Sequence, residues 1–148
     1  MKILIINYKY RHDRSWNRLC LADGNSRLQD SLAEAAEGHT VDTFFFDEAI
    51  GKYGREAARK KLWKYITKER PDVCIAGFNE NDWGKELFEK MREQKFCKFV
   101  YIADDDTWRW ERYGRHVAKY FDWIVTYDSR AVKKYHSIGI TNVIHHQP

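Results

Sequence analysis

The sequence predicts an α/β domain of three layers, with a six-stranded parallel sheet lying between helices. Three observations carry this expectation. Six segments of strand character recur along 148 residues, and stretches of helical spacing separate them. The first, Lys2–Asn7, is apolar without interruption from Ile3 to Ile6, as in a strand covered on both faces. No linker or low-complexity segment divides the chain, so one domain, 1–148, is expected. The predicted sheet is doubly wound, with Lys2–Asn7 central and the strands in the order 3-2-1-4-5-6.

The elements follow in turn. After Lys2–Asn7 comes a polar loop, Tyr8 to Asn25. Ser26-Arg27-Leu28-Gln29 reads as a capping box, and Leu28, Leu32, Ala35 and Ala36 form one apolar helix face that Gly38 ends. Thr40–Phe46 is the second strand. A helix with Ala58, Leu62, Tyr65 and Ile66 on its inner side follows, and it stops before Pro71 because the residue preceding proline resists helical geometry. Asp72–Phe78 is the third strand, and Trp83, Leu87, Phe88 and Met91 mark the next helix. Phe96–Ala103 is the fourth strand, followed by a short helix with Trp110, Tyr113 and Val117 on one side. Phe121–Tyr127 is the fifth strand. Asp128 or Ser129 caps a last helix closed by Gly139, and Thr141–His145 is the sixth strand.

Composition excludes several classes. Hydrophobic residues make up 43% and aromatics 16%, which is too rich in core formers for a disordered or collagen-like chain. No apolar run approaches the ~18–20 residues of a membrane span. The segment Met1–Ile6 lacks the length and cleavage site of a signal peptide, so a cytoplasmic location is expected. Cys20, Cys74 and Cys97 form no CxxC pair, and Cys74 and Cys97 sit in apolar runs as small core residues. Four clustered zinc ligands are not visible, and no metal is expected.

The net charge of +4 is too mild to imply nucleic acid. The basic excess is local. Between Lys52 and Arg70 eight basic residues face only Glu56 and Glu69. The plain reading is a solvated outer face. The sharper one is contact with an anionic lipid surface or a phosphate-bearing partner.

In a parallel sheet of this kind, functional groups gather beyond the carboxyl ends of the strands. No GxGxxG follows the first strand and no GxxxxGK[ST] occurs, so a dinucleotide or P-loop site is poorly supported and no cofactor is expected in this chain. The long segment Tyr8–Trp16 carries aromatics and bases suited to a sugar or a phosphate, with Tyr10 and Trp16 as candidate contacts and His12-Asp13 as a candidate acid/base pair. Asn79 and Asp82 follow the third strand. Asp104-Asp105-Asp106 is the strongest local chemical signal. Three adjacent carboxylates need cations, helix N–H groups or water. Asp106 or Thr107 is a candidate cap, while Asp104 and Asp105 are candidates for binding acceptor hydroxyls or serving as a base. A metal held by Asp104 and Asp106 is a weaker alternative. Trp108 and Trp110 follow at once. Aromatic faces beside carboxylates suit carbohydrates, and one of the two rings is expected in the core with the other partly exposed.

Several of these segments together resemble a known family. MKILIINY, AEGHTVDTFFF and ERPDVCIAGF, followed by KFVYIADDDTW and YFDWIVTYDSRAVKKYHSIGITNVIHHQP, are similar in order to the N-terminal domain of GT-B glycosyltransferases. The closest subgroup is the CgeB-type spore-maturation glycosyltransferases. The resemblance implies a Rossmann-like acceptor-side domain, with the donor-binding domain absent from this chain. It implies transfer of a glycosyl group from a nucleotide sugar to a hydroxyl. The expected partners are a carbohydrate or glycosylated acceptor and a C-terminal donor-binding domain, in cis or in trans. Asp104, Asp105 and His12 are then the catalytic candidates. Tyr10, Trp16, Asn79, Asp82, Trp108 and Trp110 are the candidates for substrate contact. The Gly-rich loop often found after the first strand of that family is replaced here by Tyr8–Trp16. A stand-alone flavodoxin-like binding or scaffold module is the alternative.

Overall fold

The structure is a computed structural model that describes residues 1–13, 18–21, 34, 37–77, 82–104 and 106–147. Its centre is a six-stranded sheet in which every neighbouring pair is parallel. The strands are β1 (Lys2–Asn7), β4 (Thr40–Phe45), β5 (Val73–Ala76), β6 (Lys98–Ala103), β7 (Trp123–Thr126) and β8 (Val143–His145). Helices flank the sheet: α1 (Phe46–Tyr53), α2 (Arg55–Glu69), α3 (Gly84–Glu93), α4 (Asp106–Arg109), α5 (Arg115–Val117) and α6 (Ser129–Ser137). A π-helical turn, Trp110–Gly114, joins α4 to α5, and a 3-10 turn, Ala118–Tyr120, leads towards β7. This is the predicted α/β class, a single Rossmann-like domain.

The strand order differs from the predicted one. Counting the six sheet strands along the chain, the order is 2-1-3-4-5-6 rather than 3-2-1-4-5-6. Residue character explains the difference. The sequence Val-Cys-Ile-Ala of β5 offers no polar face, so it is placed between β1 and β6. Strand β4 carries Thr40, Asp42 and Thr43 and takes the edge instead. Strand β1 is flanked on both sides, with Ile3 opposite Val41 on one neighbour and Val73 on the other. The switch point therefore lies between β1 and β5, where the chain winds outwards in both directions.

Other boundaries shift for local reasons. The segment after β1 is not all loop: β2 (Tyr10–Asp13) pairs antiparallel with β3 (Arg18–Leu21). The stretch from residue 46 to 69 is two helices. Gly54 breaks it, because its φ of 78° is a left-handed conformation that glycine adopts without steric cost. The capping box at 26–29 and the apolar face at 28–36 lie outside the described residues, apart from Glu34.

Helix spacing fixes the inner faces. Ala58, Leu62 and Ile66 of α2, and Leu87, Phe88 and Met91 of α3, recur every three to four residues and are buried. They join Leu4, Ile6, Phe99 and Ile124 of the sheet in one core. Cys74 and Cys97 are buried in that core as expected, with their sulfurs 3.4 Å apart. Among the described residues, no helix is long and apolar enough to cross a membrane.

Candidate functional site

The site is built where β1, β5 and β6 end. Asn7, the last residue of β1, is nearly buried, and its side-chain oxygen accepts from the Tyr8 N–H at 2.9 Å. The chain then turns upwards and is held from α1. Both oxygens of Asp47, in the first turn of that helix, accept backbone N–H groups: Lys9 at 3.0 Å and Tyr10 at 2.8 Å. The start of the β2–β3 hairpin is thus anchored by a single carboxylate.

Across the switch point stands Asp82, only 5% exposed. One carboxylate oxygen accepts from the Tyr8 hydroxyl and the other from Arg55 Nε at 3.2 Å. The backbone carbonyl of Asp82 accepts from Arg59 Nε at 2.5 Å. Gly84 makes this last contact possible. A Cβ there would lie 2.9 Å from the Arg59 guanidinium, and its φ of +64° already favours glycine. Strand β1, the start of α2 and the entry to α3 are therefore tied together at Asp82. Tyr113, from the π-helical turn, approaches the same group. Burial pushes its phenol well up, and the neighbouring Tyr101, Tyr8 and Asp82 push the same way while Arg109 opposes them.

The acidic triplet after β6 divides. Asp104 is exposed and stands 3.8 Å from Arg109 Nη1. Arg109 is buried, with its guanidinium 5.8 Å from the Trp108 ring centroid and 5.4 Å from that of Tyr113. Trp108 is 64% exposed, the most exposed of the large hydrophobic side chains described. Asp106 lies on the inner side, 2% exposed, and accepts from the Tyr135 hydroxyl at 2.8 Å. The expected cap at Asp106 is thus replaced by a buried hydrogen bond to α6. Gly114 leaves the room for it, since a Cβ there would stand 3.1 Å from Asp106 Oδ1. Burial raises the Asp106 carboxyl above its ordinary range, and hydrogen bonds with Thr126 and Tyr135 pull against that rise. The predicted cap at Asp128 is present. Its side chain accepts from the Arg130 N–H at 3.0 Å, and the Arg130 guanidinium holds it below the usual carboxylate range.

The sequence candidates are therefore placed unequally. Asp104 and Trp108 are both exposed, and the Arg109 guanidinium approaches each of them. Tyr10 is exposed at the foot of the hairpin, and His12 lies on β2 opposite Leu19. Asp82, a candidate for substrate contact, is nearly buried, and its two carboxylate oxygens accept from Tyr8 and Arg55. Trp110 is the ring of the pair that turns inwards: it is 6% exposed and packs edge-on against Tyr135 with centroids 4.8 Å apart. Trp16, Asn79 and Asp105 lie outside the described residues. Arg55 and Arg59 join the candidate set from the structure, beside Tyr8 and Arg109, which lie within the expected segments Tyr8–Trp16 and Asp104–Trp110. The sequence signal for Arg55 and Arg59 was position, within the first turns of a helix.

Among the described residues, no group of three or more His, Cys, Asp or Glu side chains comes together to hold a metal ion. No family model and no curated protein matches this chain.

Proposed function

We propose that this chain is the acceptor-binding half of a nucleotide-sugar-dependent glycosyltransferase. The observation that carries the reading is an exposed Trp108 ring and an exposed Asp104 carboxylate, each near the guanidinium of the buried Arg109. An open aromatic face takes the C–H side of a sugar ring, and the carboxylate accepts its hydroxyls. In this reading Asp104 receives the proton of the attacking hydroxyl, and Asp105 and His12 remain candidates for the same role from the sequence alone. Asp82 holds Tyr8 at the crevice between β1 and β5, where open parallel sheets bind their ligands. The donor nucleotide belongs to a second domain, in cis or in trans, because no phosphate-cradling glycine loop occurs in this sequence.

The second reading, a flavodoxin-like binding or scaffold module, draws support from the 2-1-3-4-5-6 strand order. The two readings separate in a titration. An NMR shift titration against neutral sugars should map to Tyr8, Asp104, Trp108 and Arg109. Affinity should be in the millimolar range, corresponding to roughly −4 kcal/mol. Trp108→Ala should weaken binding by about tenfold at unchanged melting temperature, the effect of losing about 1.4 kcal/mol. Shifts that map elsewhere, or a Trp108→Ala variant that binds as well as the parent, would overturn the assignment.

Turnover gives an independent expected result. The isolated 148-residue chain should neither transfer nor hydrolyse a nucleotide sugar. Substantial release of nucleoside diphosphate by the purified chain would move donor binding into this domain.

A further inference from the structure

Strand β4 lies at one end of the sheet, and a groove of about 510 Å³ runs between it, α1 and α2. Its walls are of two kinds. Phe44, Tyr53 and Tyr65 supply aromatic faces, and Lys52, Lys61 and Lys64 supply ammonium groups. Helical spacing produces this mixture: residues 61, 64, 65 and 68 fall three and four apart, on one side of α2.

The positive charge is not cancelled locally. Glu48, in the same lining, is committed to Lys9 at 2.7 Å, and Lys68 is committed to Glu69 at 3.0 Å. Asp42, beneath the wall, accepts from the Tyr65 hydroxyl. Lys52, Lys61 and Lys64 have no carboxylate partner among the described residues. Lys61 Nζ stands 4.0 Å from the Tyr53 ring centroid and Lys52 Nζ 5.2 Å from it. The hydrogen bond from Lys52, with the charges of Lys52 and Lys61, holds the Tyr53 phenol below its ordinary range. Negative charge is thus favoured at that point of the groove. Lysines also guard sheet edges against strand pairing. That role asks only for exposed charge. It does not account for three aromatic rings and a cavity beside the charge.

We propose that this groove binds a phosphate ester carried on an apolar or aromatic body, with the phosphate among Lys52, Lys61 and Lys64 and the body against Phe44, Tyr53 and Tyr65. The groove shares no lining residue with the Asp82 and Trp108 sites, so its test stands apart from that of the proposed function.

Two probes separate the sources of such an ester. One is 1-naphthyl phosphate in solution, followed by calorimetry and NMR. The other is sedimentation with phosphatidylcholine vesicles, with and without phosphatidic acid. Binding of naphthyl phosphate indicates a soluble ester. Sedimentation only with phosphatidic acid indicates a lipid headgroup. Either result supports the proposal, provided the groove variants reduce it. Lys61→Glu and Lys64→Glu should each weaken binding by about tenfold, the factor supplied by about one charge-assisted hydrogen bond. Tyr53→Leu should weaken naphthyl phosphate while leaving inorganic phosphate unchanged. Lys133→Glu, the same charge change on the exposed side of α6, should have little effect. If a glutamate variant melts early, Lys61→Ala and Lys64→Ala repeat the comparison without a new charge. Failure to bind either probe would overturn the site. So would loss of binding in Lys133→Glu as large as that in the groove variants, or binding that no groove variant reduces.

Discussion

Trp83→Ala is expected to destabilise the protein by about 3–5 kcal/mol, the range for truncating a large buried aromatic. Trp83 has no exposed surface and stands at the centre of a ring cluster. Its centroid lies 5.9 Å from Phe88, 6.3 Å from Phe121 and 6.4 Å from Phe46. These partners come from α3, from the segment before β7 and from the first turn of α1, so removing Trp83 leaves three separate elements without a common contact. The void cannot close by moving one side chain, because each wall belongs to a different helix or connection. Domain stabilities are commonly about 5–15 kcal/mol, so this single change consumes a large share of the margin. Urea unfolding should show a lower midpoint, and the melting temperature should fall on the order of 10 °C. Trp108→Ala is the internal control. It removes the same side chain from an exposed position and should stay within about 0.5 kcal/mol of the parent. If the two variants unfold together, the division of tryptophans into core and site is wrong.

That contrast shows how far the sequence could be read. Periodicity decides what packs inwards: Leu87, Phe88 and Met91, or Ala58, Leu62 and Ile66, are buried because a 3.6-residue repeat leaves them no other side. Parallel pairing follows from the apolar first strand and the alternation of elements. Strand order was harder, because a sequence pattern does not state on which side of β1 the chain returns. The deciding feature was the relative polarity of Thr40–Phe45 and Val73–Ala76, which places one at the edge and the other inside. Within the candidate site, Asp104-Asp105-Asp106 is legible as chemistry but not as geometry. Adjacent residues at a strand end and helix start point in different directions, so Asp104 meets solvent while Asp106 meets Tyr135. Tyr8 and Asp82 are 74 positions apart, and only the fold brings them into contact.

The buried pair Asp106 and Tyr135 carries the second large effect, and its sign depends on pH. Tyr135 is fully buried and its hydroxyl donates to Asp106 Oδ1 at 2.8 Å. Tyr135→Phe removes that donor without changing the ring that packs against Trp110. Where Asp106 is ionised, the loss leaves a buried carboxylate with one partner fewer, at a cost of about 1.5–3 kcal/mol, the range for hydrogen bonds to charged groups. Burial is the leading cause that raises the Asp106 carboxyl, Asp128 adds to the rise, and Lys134, Thr126 and Tyr135 oppose it. An aspartate in the unfolded chain titrates near about 3.9. Between that value and the higher folded one, the native state binds more protons than the unfolded state. The contribution of Asp106 is therefore fully present below the unfolded value and is lost as pH rises through the folded one. Glu69 and Asp128 are shifted the opposite way, Glu69 by Lys2 and Lys68 and Asp128 by Arg130, and their contributions are lost as pH falls. Those are exposed or partly exposed ion pairs, so added salt should weaken them while sparing the buried group. In salt, Asp106→Asn should therefore gain stability relative to the parent as pH rises from about 4 towards 7, because it has no charge to bury. Tyr135→Phe should lose stability relative to the parent over the same window, because its missing donor serves the ionised carboxyl better than the neutral one. Urea midpoints across that window give both differences directly. Two flat difference curves would mean that Asp106 does not titrate there, and that its burial leaves no mark on the stability of the fold.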